Sequence, residues 1–599
     1  MTVQPHQSLL KLLCRLWPHI SPRRRVQLGT LFVLMVLASL AEVISIGAVL
    51  PFLGVLTNPE PVFRQPYLQG MIQSLGLTEA RQLLLPLTVV FAVAAVVSGV
   101  MRFVLLWAQT RLSHSIGADF SISIYRRTLY QPYAVHLARN SSEVIAGITG
   151  KANGLVNGTI LPILAIVSSL LMLGTIVAAL TVIEPLIPFV VLVVFGTIYV
   201  LILLATKKRL VENSICISRE QNQVIKALQE GLSGIRDVLI DGAQAAYCRT
   251  YLNADQPLRR AMANVQITNS SPRFGIEALG MVVIAVLAYV LGKRPEGITT
   301  AIPVIGAMVL GAQRLLPVMQ LVYSSLAHIH AGRAPLQDTL ELLDQPLPAY
   351  ASEPRPEPIA FRHSIDLKGL RFRYTPDGPL VLNELNLTIP KGARVGFIGK
   401  TGSGKSTLLD IVMGLLPPTE GTMQVDGVAI TPQNHRAWQA NIAHVPQAIF
   451  LSDSTIAENI AFGVPANQID RARLRAAAEK AQIAQTIATW DRQYETMVGE
   501  RGVRLSGGQR QRIGIARALY KQANVIVFDE ATSALDNDTE QAVMQAIDSL
   551  GGELTILIVA HRLTTLKNCS QIVELDAGTV KRVGSYAEII SHPSQGISP

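Results

Sequence analysis

Gly399-Lys400-Thr401-Gly402-Ser403-Gly404-Lys405-Ser406, GKTGSGKS, follows an apolar run at 395–398 and precedes Thr407-Leu408-Leu409. A strand-like run, a glycine-rich loop and a helix-like run, in that order, are the setting in which G-x-x-x-x-G-K-[ST] wraps nucleotide phosphates. Loop N–H groups and the following helix N-terminus hold the anion. Lys405 would reach the β- and γ-phosphates and Ser406 the Mg2+. Gly399, Lys400, Thr401, Gly402, Ser403, Gly404, Lys405, Ser406 and Thr407 are therefore the expected nucleotide-binding set of an α/β P-loop NTPase domain, with a nucleoside triphosphate and Mg2+ as its ligands.

The rest of that domain assembles around the loop. Val525-Ile526-Val527-Phe528-Asp529-Glu530 reads as a buried strand ending in two acids. Asp529 would hold the Mg2+ sphere and Glu530 would polarise the attacking water. Tyr374, just upstream of the first strands, is placed to stack on a base; a tyrosine there also serves a core. Leu505-Ser506-Gly507-Gly508-Gln509 opens an arginine-rich helix carrying Arg510, Arg512 and Arg517. Two glycines and a serine at a helix N-terminus make a second anion site. The nucleotide held by 399–406 does not need it, but it can complete a nucleotide site across a dimer interface.

The other half of the chain is of a different kind. The 599 residues are 49% apolar and only 16% charged, against about 25% charged in an ordinary soluble chain. Mean hydropathy is +0.35. Long apolar runs concentrate between residues 28 and 325, while 350–599 reads as an ordinary soluble domain. About 20 apolar residues cross a bilayer, and six runs qualify: 28–55, 83–108, 158–182, 186–206, 273–292 and 301–325. Arg23-Arg24-Arg25, the connection 109–157 and Lys207-Lys208-Arg209 are basic, whereas 56–82 and 183–185 are poor in positive charge. Lys293-Arg294 is a small exception. By the positive-inside rule both termini and the NTPase domain face the cytoplasm. The net charge of +10 is accounted for by these flanks, so nucleic acid is not expected as a partner. Cys14, Cys216, Cys248 and Cys569 have no metal or disulfide spacing, and the N-terminus has no secretory cleavage pattern.

The two basic inner connections lack long apolar runs, so the membrane helices are expected to continue past the bilayer and turn at Gln131-Pro132-Tyr133 and between Gly231 and Gly242. In the outer loop Tyr67, Leu68, Met71, Ile72 and Leu75 fall at helical spacing. A helix over 63–77 would either pack on the protein or touch lipid.

Taken together, the motifs resemble those of ABC transporters over the whole chain. Leu505 to Gln509 looks like the ABC signature. Gln447 matches the Q-loop, Asp536 in Ser533-Ala534-Leu535-Asp536 the D-loop, and His561 the switch histidine. Thr496-Met497-Val498-Gly499-Glu500 is similar to an element of exporters. The resemblance implies a half-transporter of type IV exporter architecture: an α-helical six-span transmembrane domain (1–340), a proline-rich linker (341–360) and an α/β ABC nucleotide-binding domain (361–599). It implies a homodimer in the lipid bilayer of the bacterial inner membrane. ATP would be sandwiched between 399–406 of one copy and Ser506 to Gly508 of the other, Glu530, Gln447 and His561 would be catalytic, and Gln447 would join Ser406 and Asp529 at Mg2+.

Ionisable residues inside spans are functional candidates. Arg102, Arg273 and Arg314 lie on different spans and could line a path for an anionic head group, since arginine takes phosphate in bidentate fashion. Alternatively Arg102 and Arg273 snorkel to the interface or pair with Glu42 and Glu277. The first span, from Glu42 to Leu53, is similar to that of bacterial lipid-linked oligosaccharide flippases of the PglK type. So are Pro272-Arg273-Phe274 and Arg314-Leu315-Leu316-Pro317. Polysaccharide and glycolipid exporters of the heterocyst-envelope type share the pattern. In the PglK-type family the arginines matching Arg102, Arg273 and Arg314 are associated with the pyrophosphate of a polyprenyl-linked sugar. The implied activity is ATP-driven flipping or export of a lipid-linked glycan. Export of a free lipid, peptide or drug, or an ATP-gated protein that transports nothing, are the other readings.

Overall fold

The apolar run after residue 83 and the polar run after residue 110 form one helix, and its two halves are buried differently. In the computed structural model, residues 8–57, 59–65, 69–74, 76–183, 186–292, 298–530, 537–548, 554–559 and 566–591 are described. The chain divides into two compact units. One comprises residues up to Gln131 and Arg139–Leu347; the other comprises Pro132–Ala138 and the chain from Pro348 onward.

The first unit is helical. A short amphipathic helix α1 (Leu9–Leu16) is followed by α2 (Pro22–Thr57), α3 (Leu84–Leu129), α4 (Leu161–Ile183), α5 (Leu186–Ser233), α6 (Gln244–Gly292), α7 (Ile298–Ala331) and α8 (Arg333–Leu343). Each expected span falls on one of the helices α2 to α7 to within three residues at its start, but α3, α5 and α6, at 46, 48 and 49 residues, are far longer than the apolar runs. At 1.5 Å per residue each reaches about 70 Å, more than twice the hydrocarbon thickness of a bilayer. The first half of α3 shows Val93, Val96, Val100 and Phe103 outward. Its second half buries Leu112, Ile116, Phe120 and Ile124, one per turn, in a core shared with Leu12, Leu336 and Leu340. Lipid solvates the first half and packing the second, so only the first needs apolar residues all round.

The turns fall where glycine and proline interrupt the pattern. After α3 the chain turns at Tyr130 and Gln131 into a helix at Tyr133–Ala138. After α5 it passes Gly234 into Ile235–Ile240 before α6. The outer loop corrects the expectation of one helix over 63–77. Two short helices, Pro59–Phe63 and Gln69–Ser74, stand there instead. Pro66 disfavours helical backbone at the residue before it. Val62 and Ile72 are buried with Val55, Leu83 and Leu87, so these two residues pack on the protein. Tyr67, Leu68 and Leu75 lie outside the described residues.

The second unit contains two sheets. Its strands are β1 (Ser364–Phe372), β2 (Leu382–Pro390), β3 (Arg394–Ile398), β4 (Glu420–Val425), β5 (Val428–Ala429), β6 (Ile442–Val445), β7 (Val525–Asp529), β8 (Thr555–Val559), β9 (Gln571–Asp576) and β10 (Thr579–Gly584). An antiparallel sheet has the order β2-β1-β4-β5; the larger sheet runs β10-β9-β3-β8-β7-β6 and is parallel from β9 to β6. β7 and β8 are apolar and buried almost throughout, as strands covered on both faces must be. Because β3, β8 and β7 are parallel neighbours, their carboxyl ends open on one edge, where α/β sheets bind ligands.

Candidate nucleotide site and intramembrane ion pairs

β3 ends at Ile398, and the chain crosses 399–404 into α9 (Lys405–Val412). The crossing requires glycine. Gly404 has φ +97°, and a Cβ there would lie 2.8 Å from Leu382 Cδ2 and 3.0 Å from the Val381 carbonyl oxygen. Lys405 is buried, and its Nζ donates to the carbonyls of Gly399 (2.8 Å) and Lys400 (3.0 Å). Burial lowers its pKa, and the nearby carboxylates of Glu530 and Asp529 work the other way. Ser403 Oγ is buried and makes no hydrogen bond. An ammonium resting on two loop carbonyls and an unpartnered hydroxyl, in a cradle with no room for a Cβ at Gly399 or Gly404, fit a bound phosphate.

β7 brings the two acids to the same edge. Glu530 follows β7 with φ +50°, unusual for a non-glycine residue. Its backbone N–H donates to the Val559 carbonyl at 3.0 Å, and its Oε2 accepts from Gln447 Nε2 at 2.7 Å. Gln447, from the segment after β6, thus meets a residue 83 positions away. Ser406, Gln447 and Asp529 offer oxygen donors, the ligand type that Mg2+ selects, so the residues fit that ion. Tyr374 is half exposed, stands edge-on to Phe372, and shares a 2.9 Å hydrogen bond with Thr407 Oγ1. A ring held in this way leaves a face open for a base.

The serine–glycine motif has a different local role from the phosphate loop. Ser506 caps α10 (Gly507–Lys521). Its Oγ accepts from Gln509 N–H (3.2 Å), and Gln509 Oε1 accepts from Ser506 N–H (2.9 Å). This capping box leaves the N–H groups of Gly507 and Gly508 without partners inside the helix. Leu505 is buried beneath it. Among the described residues, no hydrogen bond joins 505–509 to 399–407 of the same chain. Arg517 on α10 is half-buried over the Phe462 ring and donates to the Asn459 and Phe450 carbonyls; burial pulls its pKa down to about 10. Asp536 and His561 lie outside the described residues.

One group at this edge was not among the expected site residues. Asp410, on α9, is half-buried, and burial together with the charge of Asp529 pushes its pKa up to about 6. Its only signal was a lone carboxylate in the apolar run Leu408-Leu409-Asp410-Ile411-Val412. Tyr133, from the turn after α3, belongs to this unit. Its own pKa is raised by burial and by the charges of Asp410 and Tyr374.

In the helical unit two of the three candidate arginines are already paired. Glu42 is completely buried on α2. Its Oε2 accepts from Ser98 Oγ (2.6 Å) and from Arg102 Nε (2.8 Å). Arg273 donates to Glu277 at 2.6 Å, one turn along α6 and largely exposed. The pair borders a cavity of about 180 Å³ with Tyr199, Gln320 and Ser324. The pairing alternative is therefore what the structure shows for Arg102 and Arg273. Arg314 lies on α7, and its side chain is outside the described residues.

A family model described as the ABC transporter transmembrane region matches residues 28–294, and one described as ABC transporter matches 382–533. An ATP-dependent lipid A-core flippase of Chromohalobacter salexigens is 33% identical over 388 residues, covering 64% of this chain and 66% of that protein. One of Alkalilimnicola ehrlichii is 31% identical over 411 residues, covering 67% and 68%. The chain thus spans about two thirds of the length of these relatives. Among solved structures, a bacterial Atm1-family ABC exporter with ATP bound superposes with a TM-score of 0.77 at 22% identity, over 96% of each chain.

Proposed function

This chain belongs to the ABC transporter family, and from that premise we propose that it is an ATP-driven flippase or exporter of a lipid-linked oligosaccharide or related glycolipid. It is a multi-pass membrane protein. In our reading it sits in the bacterial inner membrane with both termini cytoplasmic, with a membrane domain over 1–340, a linker over 341–360 and a nucleotide-binding domain over 361–599. The observation that carries the ATPase half is the meeting of Lys405, Asp529, Glu530 and Gln447 at one sheet edge.

Each residue has a role that its surroundings support. Lys405 would exchange its two loop carbonyls for phosphate oxygens, and Ser403 would supply the hydroxyl that now lacks a partner. Mg2+ held by Ser406, Gln447 and Asp529 would offset the charge that builds on the phosphates. Glu530, whose strained backbone aims its carboxylate at Gln447, would orient the attacking water and take its proton. Gln447 holds that carboxylate in place until the site is assembled. Gly507 and Gly508 present unpartnered N–H groups at a helix N-terminus, suited to the phosphate of a nucleotide held by a second copy. A homodimer supplies both halves twice. His561 and Asp536 complete the assignment by their motifs.

The substrate reading rests on the relatives, which are named for lipid A-core flipping, and on the arginines that lie within the expected spans. Arg102 is partly exposed although Glu42 is buried, so it can present an edge to an anionic head group while Glu42 anchors its other side. Arg273 and Arg314 would extend that path. The test is ATPase activity of the purified protein in lipid, with and without a polyprenyl-pyrophosphate glycan or a lipid A-type glycolipid. Arg102, Arg273 and Arg314 are changed together to Ala in parallel. Stimulation that vanishes in the triple variant, with basal hydrolysis intact, supports the reading. Equal behaviour of both proteins removes the anionic head group and leaves neutral lipid, peptide or drug.

A further inference from the structure

Between α2 and α3 lies a groove of about 470 Å³ with a polarity gradient along its length. The helices are antiparallel: Arg24 meets Asp119, and Glu42 meets Arg102. At one end the walls carry Arg24, Gln27, Arg111 and Ser115; towards the other they carry Leu34 and Leu37 beside Trp107. From Arg24 to Leu37 the helix rises about 20 Å, close to the depth of one leaflet with its headgroup layer. Leu37 and Trp107 are half exposed or more, so the groove opens outward.

The charges at the polar end are unbalanced. Arg24 is neutralised by Asp119 and also donates to Gln27. Arg111 is exposed, and its guanidinium makes no hydrogen bond or ion pair among the described residues. Arg23 and Arg25 stand beside the same end, with Arg25 held against Trp17. Among the described residues, Asp119 is the one acid that forms an ion pair with any of these four cations. An amphiphile with an anionic head and an apolar tail complements this groove at both ends.

We propose that the α2–α3 groove is a resident site for an anionic glycerophospholipid, its phosphate on Arg111 and one acyl chain along Leu34, Leu37 and Trp107. The site lies apart from Arg273 and its cavity and does not depend on which substrate is transported. It would tie α2 to α3 at the end where their polar and apolar walls change over.

The experiment is native mass spectrometry of the full chain in detergent, titrated with dioleoylphosphatidylglycerol or dioleoylphosphatidylcholine. Wild type, Arg111→Gln, Leu34→Trp and, as a distant basic control, Lys208→Gln are compared. The wild type and Lys208→Gln should bind the first phosphatidylglycerol about five-fold more tightly than phosphatidylcholine, the worth of one arginine at an anionic lipid surface. Arg111→Gln should bring the two lipids level, and Leu34→Trp should weaken both. Arg111→Gln makes no core contact, so it decides the matter even if Leu34→Trp fails to fold. Retention of the preference in Arg111→Gln, or no preference in the wild type, means annular lipid only and overturns the site. Loss of dimer without loss of lipid in Leu34→Trp also overturns it, with a second copy as the occupant.

Discussion

The phenol of Tyr323 on α7 donates to the carbonyl of Thr268 on α6 at 3.0 Å. Thr268 lies four residues before Pro272, so its carbonyl is the one that the proline leaves without a helix donor. Beside it Gln320 donates to the Asn269 carbonyl at 3.0 Å and accepts from Tyr199 at 2.9 Å. Hydroxyls and amides of one helix thus complete the backbone of another, as breaks at membrane depth require. Tyr323→Phe should cost about 1–2 kcal/mol in stability. In a Pro272→Ala background, where the N–H is restored, most of that cost should vanish. Thermal unfolding of the four proteins in lipid checks the cycle, and additive effects would refute the assignment.

Glu530→Gln should lower ATP hydrolysis by about a hundredfold or more, the loss typical of a positioned general base, while nucleotide binding persists. Gln447→Ala should leave the acid unsupported and lower hydrolysis less. Phosphate release and fluorescent-nucleotide binding separate the two effects.

Lys405→Ala should behave in the opposite sense. Losing a charge-assisted contact of about 1.5–3 kcal/mol weakens ATP binding roughly ten- to a hundredfold. Equilibrium binding of ATP to the purified protein reads this directly.

Glu42 is buried and Arg102 only partly so. Glu42→Ala strands the arginine and should destabilise the protein by roughly 3 kcal/mol. Glu42→Ala with Arg102→Ala should recover part of that loss, because no unpaired charge remains. Unfolding in detergent distinguishes recovery from simple addition.

Asp410 titrates at about 6 in the folded protein, against an ordinary value of 3.8. A raised carboxyl pKa means that its contribution to stability falls as pH climbs from about 4 to beyond 6. Asp410→Asn should therefore raise the melting temperature at about pH 8 and make little difference near pH 4. A gain that does not depend on pH would argue against a buried, charge-opposed carboxyl.

The sequence by itself determined the six apolar runs, the strand–loop–helix around Lys405 and the helix start at Ser506. In each, a solvent or a ligand imposes a local pattern: about 20 apolar residues for a bilayer, glycines where the backbone turns with φ above zero, a serine and a glutamine three apart at a helix end. Where those constraints stop, the pattern became ambiguous. The polar continuations of α3, α5 and α6 were expected only from the absence of apolar runs and are held by packing, and the outer-loop spacing read as one helix because Pro66 carried too little weight. Only the tertiary structure decided that Glu42 takes Arg102, that Gln447 takes Glu530 and that Tyr323 serves Thr268. Those partners stand 60, 83 and 55 residues apart. Their meeting depends on the register of one helix or strand against another, which packing of whole faces sets and no local stretch encodes.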